Sequence, residues 1–343
     1  MSVHPVLPAL KSALLIGIVL LPSLALAQAP DVKTRLSTIL ADAESLVPLE
    51  TVIVSLDGEV VAQQGYRGNS VAEPTNIKSA SKSIISALVG IAIDRGLIKG
   101  VHQPIAELLP DALPDDPDPR LDEITVGNLL SMQAGLERTS GPNYGAWVAS
   151  PNWVRFVLAQ PFVDEPGAAM LYSTGSSHLL SAILTRVGGQ PSLELARDWL
   201  SPLEDFSIAA WDRDPQGIYF GGNQMAMSPT SLLTFGELYR NGGLAANGER
   251  VLSEAWIAQS WEPRTNSRFT GDQYGYGWFG REIAQEPVHY GWGYGGQMLY
   301  IVPDLELTVV MTSDENSPSG RTGHRDDLHH LLGEIIEAVR SGA

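Results

Sequence analysis

Ser79 and Lys82 are the two residues of this chain whose types and spacing best suit nucleophilic chemistry. Residues three apart on a helix share a face, so the lysine amine can reach the serine hydroxyl. A serine attacks a carbonyl carbon only after a base has removed its proton, and a lysine can be that base when burial lowers its pKa. The apolar run from Ile84 to Ile93 predicts a buried helix directly after the pair, which would supply that burial.

The same two residues also have an ordinary structural interpretation, in which a serine caps a helix and a solvated lysine follows it. The chain contains five lysines, and only Lys82 has a serine three residues before it. Such a short spacing also arises by chance, so it does not by itself decide between the two interpretations.

Length and composition indicate a globular protein with a sizeable core. The chain has 343 residues, of which 44% are hydrophobic and 18% are charged. It contains no cysteine, which excludes disulfides and thiolate metal sites. Its 22 basic and 39 acidic side chains give a net charge of −17, which repels nucleic acid and anionic membranes. We therefore expect a small-molecule substrate and no nucleic-acid partner.

The first 27 residues predict a secretory signal peptide. An apolar run covers residues 13–26, and the sequence Ala-Leu-Ala before Gln28 provides a small-residue cleavage site. The alternative is an N-terminal anchor helix, but the run is short for a membrane span and Pro22 interrupts it. The mature chain, residues 28–343, contains no second segment long enough to span a membrane. We expect it to be periplasmic or secreted, and its oligomeric state does not follow from the sequence.

The elements that must position Ser79 alternate between strand-rich and helix-rich parts of the chain. Two β-branched runs flank Asp57-Gly58, which is a strong hairpin signal, and a helix capped by Asp31 precedes them. Residues 79–248 form a mostly helical part, whereas strands are predicted in residues 28–78 and 249–343. The pattern predicts an α+β fold with one antiparallel sheet assembled from both termini, and the terminal helices on one face. Ser79 would lie at the seam between sheet and helices.

Within these parts, several local patterns give specific predictions. Tyr274 to Phe279 is predicted as a strand, Gln297–Val302 and Leu305–Thr312 as two more, and residues 325–340 as a helix. Ser150 and Ser228 each precede a proline and are predicted to cap helices.

Four segments, taken in order, resemble the beta-lactamase-related serine hydrolase superfamily. This superfamily includes class C beta-lactamases, serine D-alanyl-D-alanine peptidases, family VIII carboxylesterases and 6-aminohexanoate-dimer hydrolases. Ser79-Ala80-Ser81-Lys82 resembles the first motif, and residues 129–136 resemble its Leu-Leu-x-x-x-x-Gly-Leu helix. Tyr172-Ser173-Thr174 stands where the family has Tyr-x-Asn or Tyr-Ser-x, and Gly291-Trp292-Gly293 stands where it has Lys-Thr-Gly. The resemblance implies the beta-lactamase/transpeptidase-like fold over nearly the whole mature chain.

The resemblance also implies an acyl-transfer mechanism without a cofactor. Ser79 would attack a carbonyl, Lys82 would take its proton, and the Tyr172 hydroxyl would pass a proton toward the leaving group. The oxyanion hole would be the backbone amides of Ser79 and Tyr294. Trp292 and Gly293 would bind substrate.

Two departures from the family pattern affect the expected substrate. The third motif has no lysine or histidine, so the cation that grips a substrate carboxylate is missing, although a shift to His289-Tyr290-Gly291 would restore one. Thr174 stands where beta-lactamases have asparagine. We therefore expect weak beta-lactam turnover and a preference for an ester or amide. The aromatic residues that are candidates to line an apolar acyl pocket are Trp292, Tyr294, Tyr274, Tyr276 and Trp278. For Tyr274, Tyr276 and Trp278, the alternative interpretation is that they fill the hydrophobic core.

The leading hypothesis is thus an exported serine hydrolase that cleaves an ester or amide. One alternative is a beta-lactamase or D-alanyl-D-alanine peptidase, and another is a non-catalytic binding module with the same fold. No metal site is predicted, because the histidines of the sequence His329-His330 point to different faces of a helix. The pattern Gly-x-Gly-x-x-Gly at residues 291–296 is not a dinucleotide site, since no βαβ unit follows it.

Overall fold

Eight strands form one antiparallel sheet, and they come from the two ends of the chain, as predicted. The computed structural model describes residues 1–3 and 31–342, so the predicted signal-peptide core and its cleavage site lie outside the described residues. The order across the sheet is β2-β1-β11-β10-β9-β8-β7-β6. The strands are β1 Leu49–Leu56, β2 Glu59–Gly65, β6 Thr265–Asn266, β7 Gln273–Tyr274, β8 Phe279–Ile283, β9 Glu286–Gly293, β10 Gln297–Val302 and β11 Leu307–Ser313.

The predicted hairpin is present between β1 and β2. Asp57 and Gly58 both have positive φ, 50° and 80°, as a two-residue turn of the I′ type requires. On its other side β1 pairs with β11, where the hydroxyls of Thr51 and Thr312 lie 2.5 Å apart. Of the strands in residues 31–342, the first in the sequence is therefore joined to the last.

Helices cover both faces of the sheet. α1 and α12 lie on one face, whereas α2 and α9 pack against the other. The caps agree with the sequence signals, because Asp31 accepts a hydrogen bond from Thr34 N and Ser228 accepts one from Ser231 N. The helices are α1 Val32–Asp42, α2 Ser81–Asp94, α3 Ile105–Leu108, α4 Val126–Leu130, α5 Tyr144–Val148, α6 Trp153–Leu158, α7 Thr174–Gly188, α8 Ser192–Trp199, α9 Pro229–Arg240, α10 Glu254–Trp261, α11 Ser319–Thr322 and α12 His324–Arg340.

Alternate residues of the central strands enter two separate buried clusters. On β1, Val52 and Val54 join the cluster beneath α1 and α12, while Ile53 joins the cluster around α2. Strand residues point alternately to opposite faces, so a strand in a sheet that is covered on both sides is buried at successive positions and not only at alternate ones. β10 and β11 are accordingly buried along their whole length.

Three details differ from the sequence predictions. Tyr274 to Phe279 is not one strand: a turn that contains Gly277 at φ +80° separates β7 from β8. Glycines in that run break the alternation, and Gly275 N donates to Trp278 O across the turn. Ser150 does not cap a helix, because Asn152 accepts from Arg155 N and caps α6 instead.

The third difference is a small second sheet in and beside the helical part, which the sequence did not predict. Its strands are β3 Thr75–Asn76, β4 Ala210–Trp211 and β5 Met225–Met227, in the order β3-β5-β4. Strands of two or three residues are too short to show a period of two. β3 matters for the site, because it ends two residues before Lys78. Among the described residues, no helix has both the length and the apolar character needed to cross a bilayer.

Candidate active site

Ser79 lies in a 3₁₀ turn, Lys78–Ala80, that leads directly into α2. The sequence predicted a serine at the tip of the helix, and the structure adds a tighter turn before it. Lys78 has φ +50°, a left-handed conformation that is uncommon for a residue with a side chain. Asn76 Oδ1 accepts from Lys78 N at 2.9 Å, and Lys78 Nζ lies 2.8 Å from Glu315 Oε2. These contacts hold the turn while Ser79 itself remains partly exposed.

Lys82 is buried, with 3% of its surface exposed, and its amine faces Ser79. The Nζ atom lies 3.1 Å from Ser79 Oγ, donates to the Gly222 carbonyl oxygen at 2.7 Å and lies 3.4 Å from Thr174 Oγ1. Burial lowers the pKa of Lys82 to about 7, because an apolar environment disfavours the charged amine. A substantial fraction of the amine is therefore neutral at neutral pH, and a neutral amine can accept a proton.

Tyr172 comes from the segment just before α7 and completes the group. Lys82 Nζ lies 5.0 Å from the centre of its ring. Burial raises the pKa of Tyr172 to about 12, and the neighbouring Ser79 side chain opposes that shift. The hydroxyl is therefore protonated at neutral pH and can donate a proton. The structure thus brings Ser79, Lys82 and Tyr172 together, although they are separated by up to 93 positions in the sequence.

The third predicted motif lies on β9, at an edge that no other strand of the described residues covers. β8 pairs with β9 only between Glu286 and Tyr290, so Gly291 to Gly293 extend beyond it. This stretch runs beside the turn that carries Ser79. A Cβ atom added to Gly293 would lie 2.2 Å from the Ile77 carbonyl oxygen, and one added to Gly291 would lie 3.1 Å from Ser83 Oγ. The two glycines let the strand approach the turn closely.

Tyr294 follows in the turn between β9 and β10, where Gly296 N donates to Gly293 O at 3.1 Å. Its side chain is 52% exposed. Trp292 is half-buried and packs 5.9 Å from the ring of Phe279, which in turn stacks on Tyr172. The aromatic residues Tyr274, Tyr276 and Trp278 are buried in the core. They therefore fill the core and do not line an acyl pocket.

The shifted motif register His289-Tyr290-Gly291 does not supply a cation. His289 lies opposite Gly280 of β8, where the edge of β9 is covered, and its ring stacks on Trp261 at 4.2 Å. Burial lowers the pKa of His289 to about 4, so the ring is neutral at neutral pH. Tyr290 points to the opposite face and donates to Asp272.

The C-terminal histidines diverge, as their positions on one helix require. His329 bonds with the Tyr300 hydroxyl inside the core, while His330 faces solvent. His324 lies 2.9 Å from Ser313 Oγ. Within residues 31–342, no three histidine or carboxylate side chains are grouped in a way that could hold a metal ion.

Sequence reasoning missed part of what surrounds the lysine. Gly222 supplies the shortest contact of Lys82 Nζ, and Ser140 Oγ lies 3.0 Å from Thr174 Oγ1. A backbone carbonyl in an irregular loop leaves no mark on residue type. The pair Gly221-Gly222 was the one visible signal that backbone approaches another element closely there.

Comparison with known proteins identifies the family of the chain. A family model described as "Beta-lactamase" matches residues 47–334. The chain is 24% identical over 323 residues to a 6-aminohexanoate-dimer hydrolase of Paenarthrobacter ureafaciens, with 86% of this chain and 78% of that protein covered.

Two solved structures show the same fold. One is a penicillin-binding protein homologue from Caulobacter crescentus, with a TM-score of 0.71, 16% identity, and 92% and 98% of the two chains covered. The other is the D-amino acid amidase of Ochrobactrum anthropi SV3, with a TM-score of 0.70, 15% identity, and 91% and 99% covered. Since the family model spans most of the sequence and the fold agrees, the chain belongs to the beta-lactamase family and is a hydrolase built on that fold.

Proposed function

We propose that this protein is an exported serine hydrolase that forms an acyl-enzyme on Ser79 and hydrolyses an ester or an amide. The observation that carries the proposal is the buried Lys82 amine, 3.1 Å from the Ser79 hydroxyl oxygen, with a pKa lowered to about 7. A base is most effective when its pKa lies near the working pH. A solvated lysine beside a capping serine would instead be charged and exposed.

In the acylation step, neutral Lys82 removes the proton of Ser79 Oγ while Oγ bonds to the substrate carbonyl carbon. Negative charge then develops on the carbonyl oxygen. We assign its stabilisation to the backbone amides of Ser79 and Tyr294, the first at the nucleophile turn and the second where β9 leaves the uncovered edge. Tyr172, with a pKa raised to about 12, donates its proton to the leaving oxygen or nitrogen and is reprotonated from Lys82.

In the second step, water replaces the leaving group. It attacks the acyl carbon, gives a proton to the Lys82 and Tyr172 pair, and releases the acid together with the free Ser79 hydroxyl. The step uses the same base and the same oxyanion donors in reverse, so the site needs no cofactor to complete a cycle.

The substrate proposed here lacks an obligatory carboxylate. Gly291-Trp292-Gly293 brings no positive charge to the uncovered edge of β9, and His289 is neutral and stacked on Trp261. We propose that Gly293 binds the substrate through its position on that edge and that Trp292 contributes apolar surface beside it. One relative named above is described as a 6-aminohexanoate-dimer hydrolase and one similar structure as a D-amino acid amidase, and we take these descriptions as support for an amide or ester substrate.

A fluorophosphonate probe tests the nucleophile directly. The probe should add to Ser79, as seen by intact mass and peptide mapping, and a Ser79→Ala variant should stay unmodified with a nearly unchanged melting temperature. A short p-nitrophenyl ester should turn over faster than a chromogenic cephalosporin. Fast cephalosporin hydrolysis would favour the beta-lactamase alternative, and a folded but unmodified wild-type protein would favour the binding module.

Export is tested separately, by sequencing the N-terminus of the protein recovered from a periplasmic or culture fraction. Cleavage after Ala27 predicts Gln28 as the first residue. Recovery of the uncleaved chain from the membrane fraction would favour the anchor-helix alternative.

A further inference from the structure

A buried histidine and a buried aspartate form a pair on the helical side of Lys82. His178 lies on α7, one turn after Thr174, and its Nε2 atom lies 3.0 Å from Asp214 Oδ2. Both side chains are fully buried. The rings of Trp147, Trp153 and Phe220 surround the imidazole at centroid distances of 5.7, 5.4 and 5.9 Å. Burying a polar side chain in apolar surroundings costs free energy unless the side chain is hydrogen-bonded. The hydrogen-bond partners of His178 and Asp214 therefore indicate their role.

The hydrogen-bond partners of the imidazole select its tautomer. Gly221 N donates to His178 Nδ1 at 3.3 Å, so Nδ1 accepts, and the proton on Nε2 points to Asp214. Asp214 Oδ1 in turn accepts from Gln216 N and Ile218 N, both at 2.8 Å. The carboxylate therefore holds the imidazole in the tautomer that can accept from Gly221.

Gly221 is followed by the residue that contacts the proposed base. Gly222 O accepts from Lys82 Nζ at 2.7 Å, a shorter contact than the 3.1 Å from the same nitrogen to Ser79 Oγ. The segment is tightly packed as well: a Cβ atom on Gly221 would lie 2.1 Å from Ser177 O, and one on Gly222 would lie 2.7 Å from Lys82 Cγ. A small displacement of this segment is therefore transmitted directly to the lysine amine.

We propose that Asp214 and His178 are positioning residues for the general base: they hold the Gly221-Gly222 segment so that its carbonyl aims Lys82 Nζ at Ser79. This inference rests on the proposed function, because it concerns how the base is aimed. It assigns no chemistry to the imidazole, which is fully buried among aromatic rings. A displacement of about 1 Å in a catalytic group is expected to cost about 100-fold in rate.

The test uses variants that alter single hydrogen bonds. In Asp214→Asn, the amide oxygen satisfies Gln216 N and Ile218 N, so the amide NH₂ faces His178 and forces its other tautomer. His178 Nδ1–H and Gly221 N–H are then both donors, so the hydrogen bond that holds the Gly221-Gly222 segment is lost. In His178→Asn, the amide oxygen takes the place of Nδ1 and still accepts from Gly221 N. In His178→Gln, the amide reaches only the position of Nε2, so Gly221 N has no acceptor. His329→Gln is the control, since His329 is a buried histidine on the opposite face of the sheet.

The readout is the second-order rate of fluorophosphonate addition to Ser79 across pH 5.5 to 9, with melting temperatures measured in parallel. We expect Asp214→Asn and His178→Gln to react about 100-fold more slowly and with a midpoint above that of wild type, because a loosened segment admits water to the lysine. His178→Asn should react faster than His178→Gln, and His329→Gln should match wild type in rate and midpoint.

A folded Asp214→Asn protein with an unchanged or lowered midpoint and an unchanged rate would overturn the inference. If that variant does not fold, equal rates for His178→Asn and His178→Gln overturn it instead. The proposed function fails on different results, namely no addition to wild-type Ser79, or equal addition to wild type and Lys82→Ala.

Discussion

Gly293 and Ile77 lie so close together that a methyl group on Gly293 would stand 2.2 Å from the Ile77 carbonyl oxygen. Real Cβ atoms do not approach backbone oxygens at that distance, so only glycine permits this contact. Ile77 lies two residues before Ser79, at the start of the turn that carries it. The separation between the uncovered edge of β9 and the nucleophile is therefore set by the absence of one side chain.

Replacement of Gly293 by alanine should push β9 away from the nucleophile turn. We expect kcat/KM for ester hydrolysis to fall by about 100-fold or more, since reacting groups would be displaced by about 1 Å. Gly333→Ala, in the middle of α12, is the control: its Cβ atom would meet only Ile283 Cγ2 at 3.6 Å, an ordinary contact. Steady-state kinetics and melting temperature measure both. A Gly293→Ala enzyme with wild-type kcat/KM would contradict the account.

The pKa of Lys82 predicts how acylation depends on pH. The reactive form is the neutral amine, so the rate of Ser79 modification should rise with pH through a midpoint near 7 and level off above it. Lys82→Arg keeps the charge but cannot lose its proton, and it should reduce the rate by about 100-fold or more at every pH. Lys99→Ala, an exposed lysine paired with Glu107, is the control. A rate independent of pH between 6 and 9 would exclude Lys82 as the base.

The same burial should cost stability below neutral pH. Lys82 has an ordinary pKa of 10.5 in the unfolded chain and a pKa of about 7 in the folded one. Between pH 7 and pH 10.5 the unfolded state therefore binds more protons than the folded state. The cost is fully present below pH 7 and disappears as pH rises toward 10, at about 1.4 kcal/mol for each tenfold difference in proton affinity.

Lys82→Met should accordingly raise the free energy of unfolding, more at pH 6 than at pH 9.5. The gain is reduced by the Gly222 carbonyl, which loses its partner at a cost of about 1–3 kcal/mol. Urea unfolding at the two pH values measures the difference. A stabilisation that is the same at both would mean that the pKa of Lys82 is not lowered.

Tyr172 should matter most when the leaving group needs a proton. Its pKa of about 12 leaves the hydroxyl protonated near pH 7, so it acts as a donor and not as the first base. In Tyr172→Phe, hydrolysis of an amide or alkyl ester should fall by about 100-fold or more, whereas a p-nitrophenyl ester, whose leaving group departs as an anion, should lose much less. Tyr66→Phe is a matched control, because burial also raises the pKa of Tyr66 to about 12 while its hydroxyl donates to Leu40 O. Equal losses for both substrates would contradict the role.

The family, the α+β architecture and the sheet assembled from both termini were predictable from the sequence and are confirmed. The fold predictions rest on strong local signals, such as Asp57-Gly58 in the hairpin and the apolar runs of β10 and β11, whereas the family prediction rests on the four motif segments. The roles of Ser79, Lys82 and Tyr172 stay predictions, although the structure brings the three side chains together.

What the sequence did not reveal depends on contacts between distant backbones. Gly222 acts through its carbonyl oxygen, and the bond from Gly221 to His178 depends on a loop whose path no pattern specifies. The run from Tyr274 to Phe279 was wrongly predicted as a single strand, because aromatic residues that alternate with glycine resemble one. The turn depends on the positive φ of Gly277, which the residue type permits but does not require.

The pairing of β1 with β11 also constrains when this protein can fold. The Thr51 and Thr312 hydroxyls meet across 261 positions of sequence, so β1 cannot pair with β11 until the chain has been synthesised beyond residue 312. Closing so long a loop is entropically costly, and topologies dominated by distant pairings fold slowly. The newly made chain consequently passes through a period in which β1 is made but not yet paired with β11, and an unpaired strand edge is prone to aggregation.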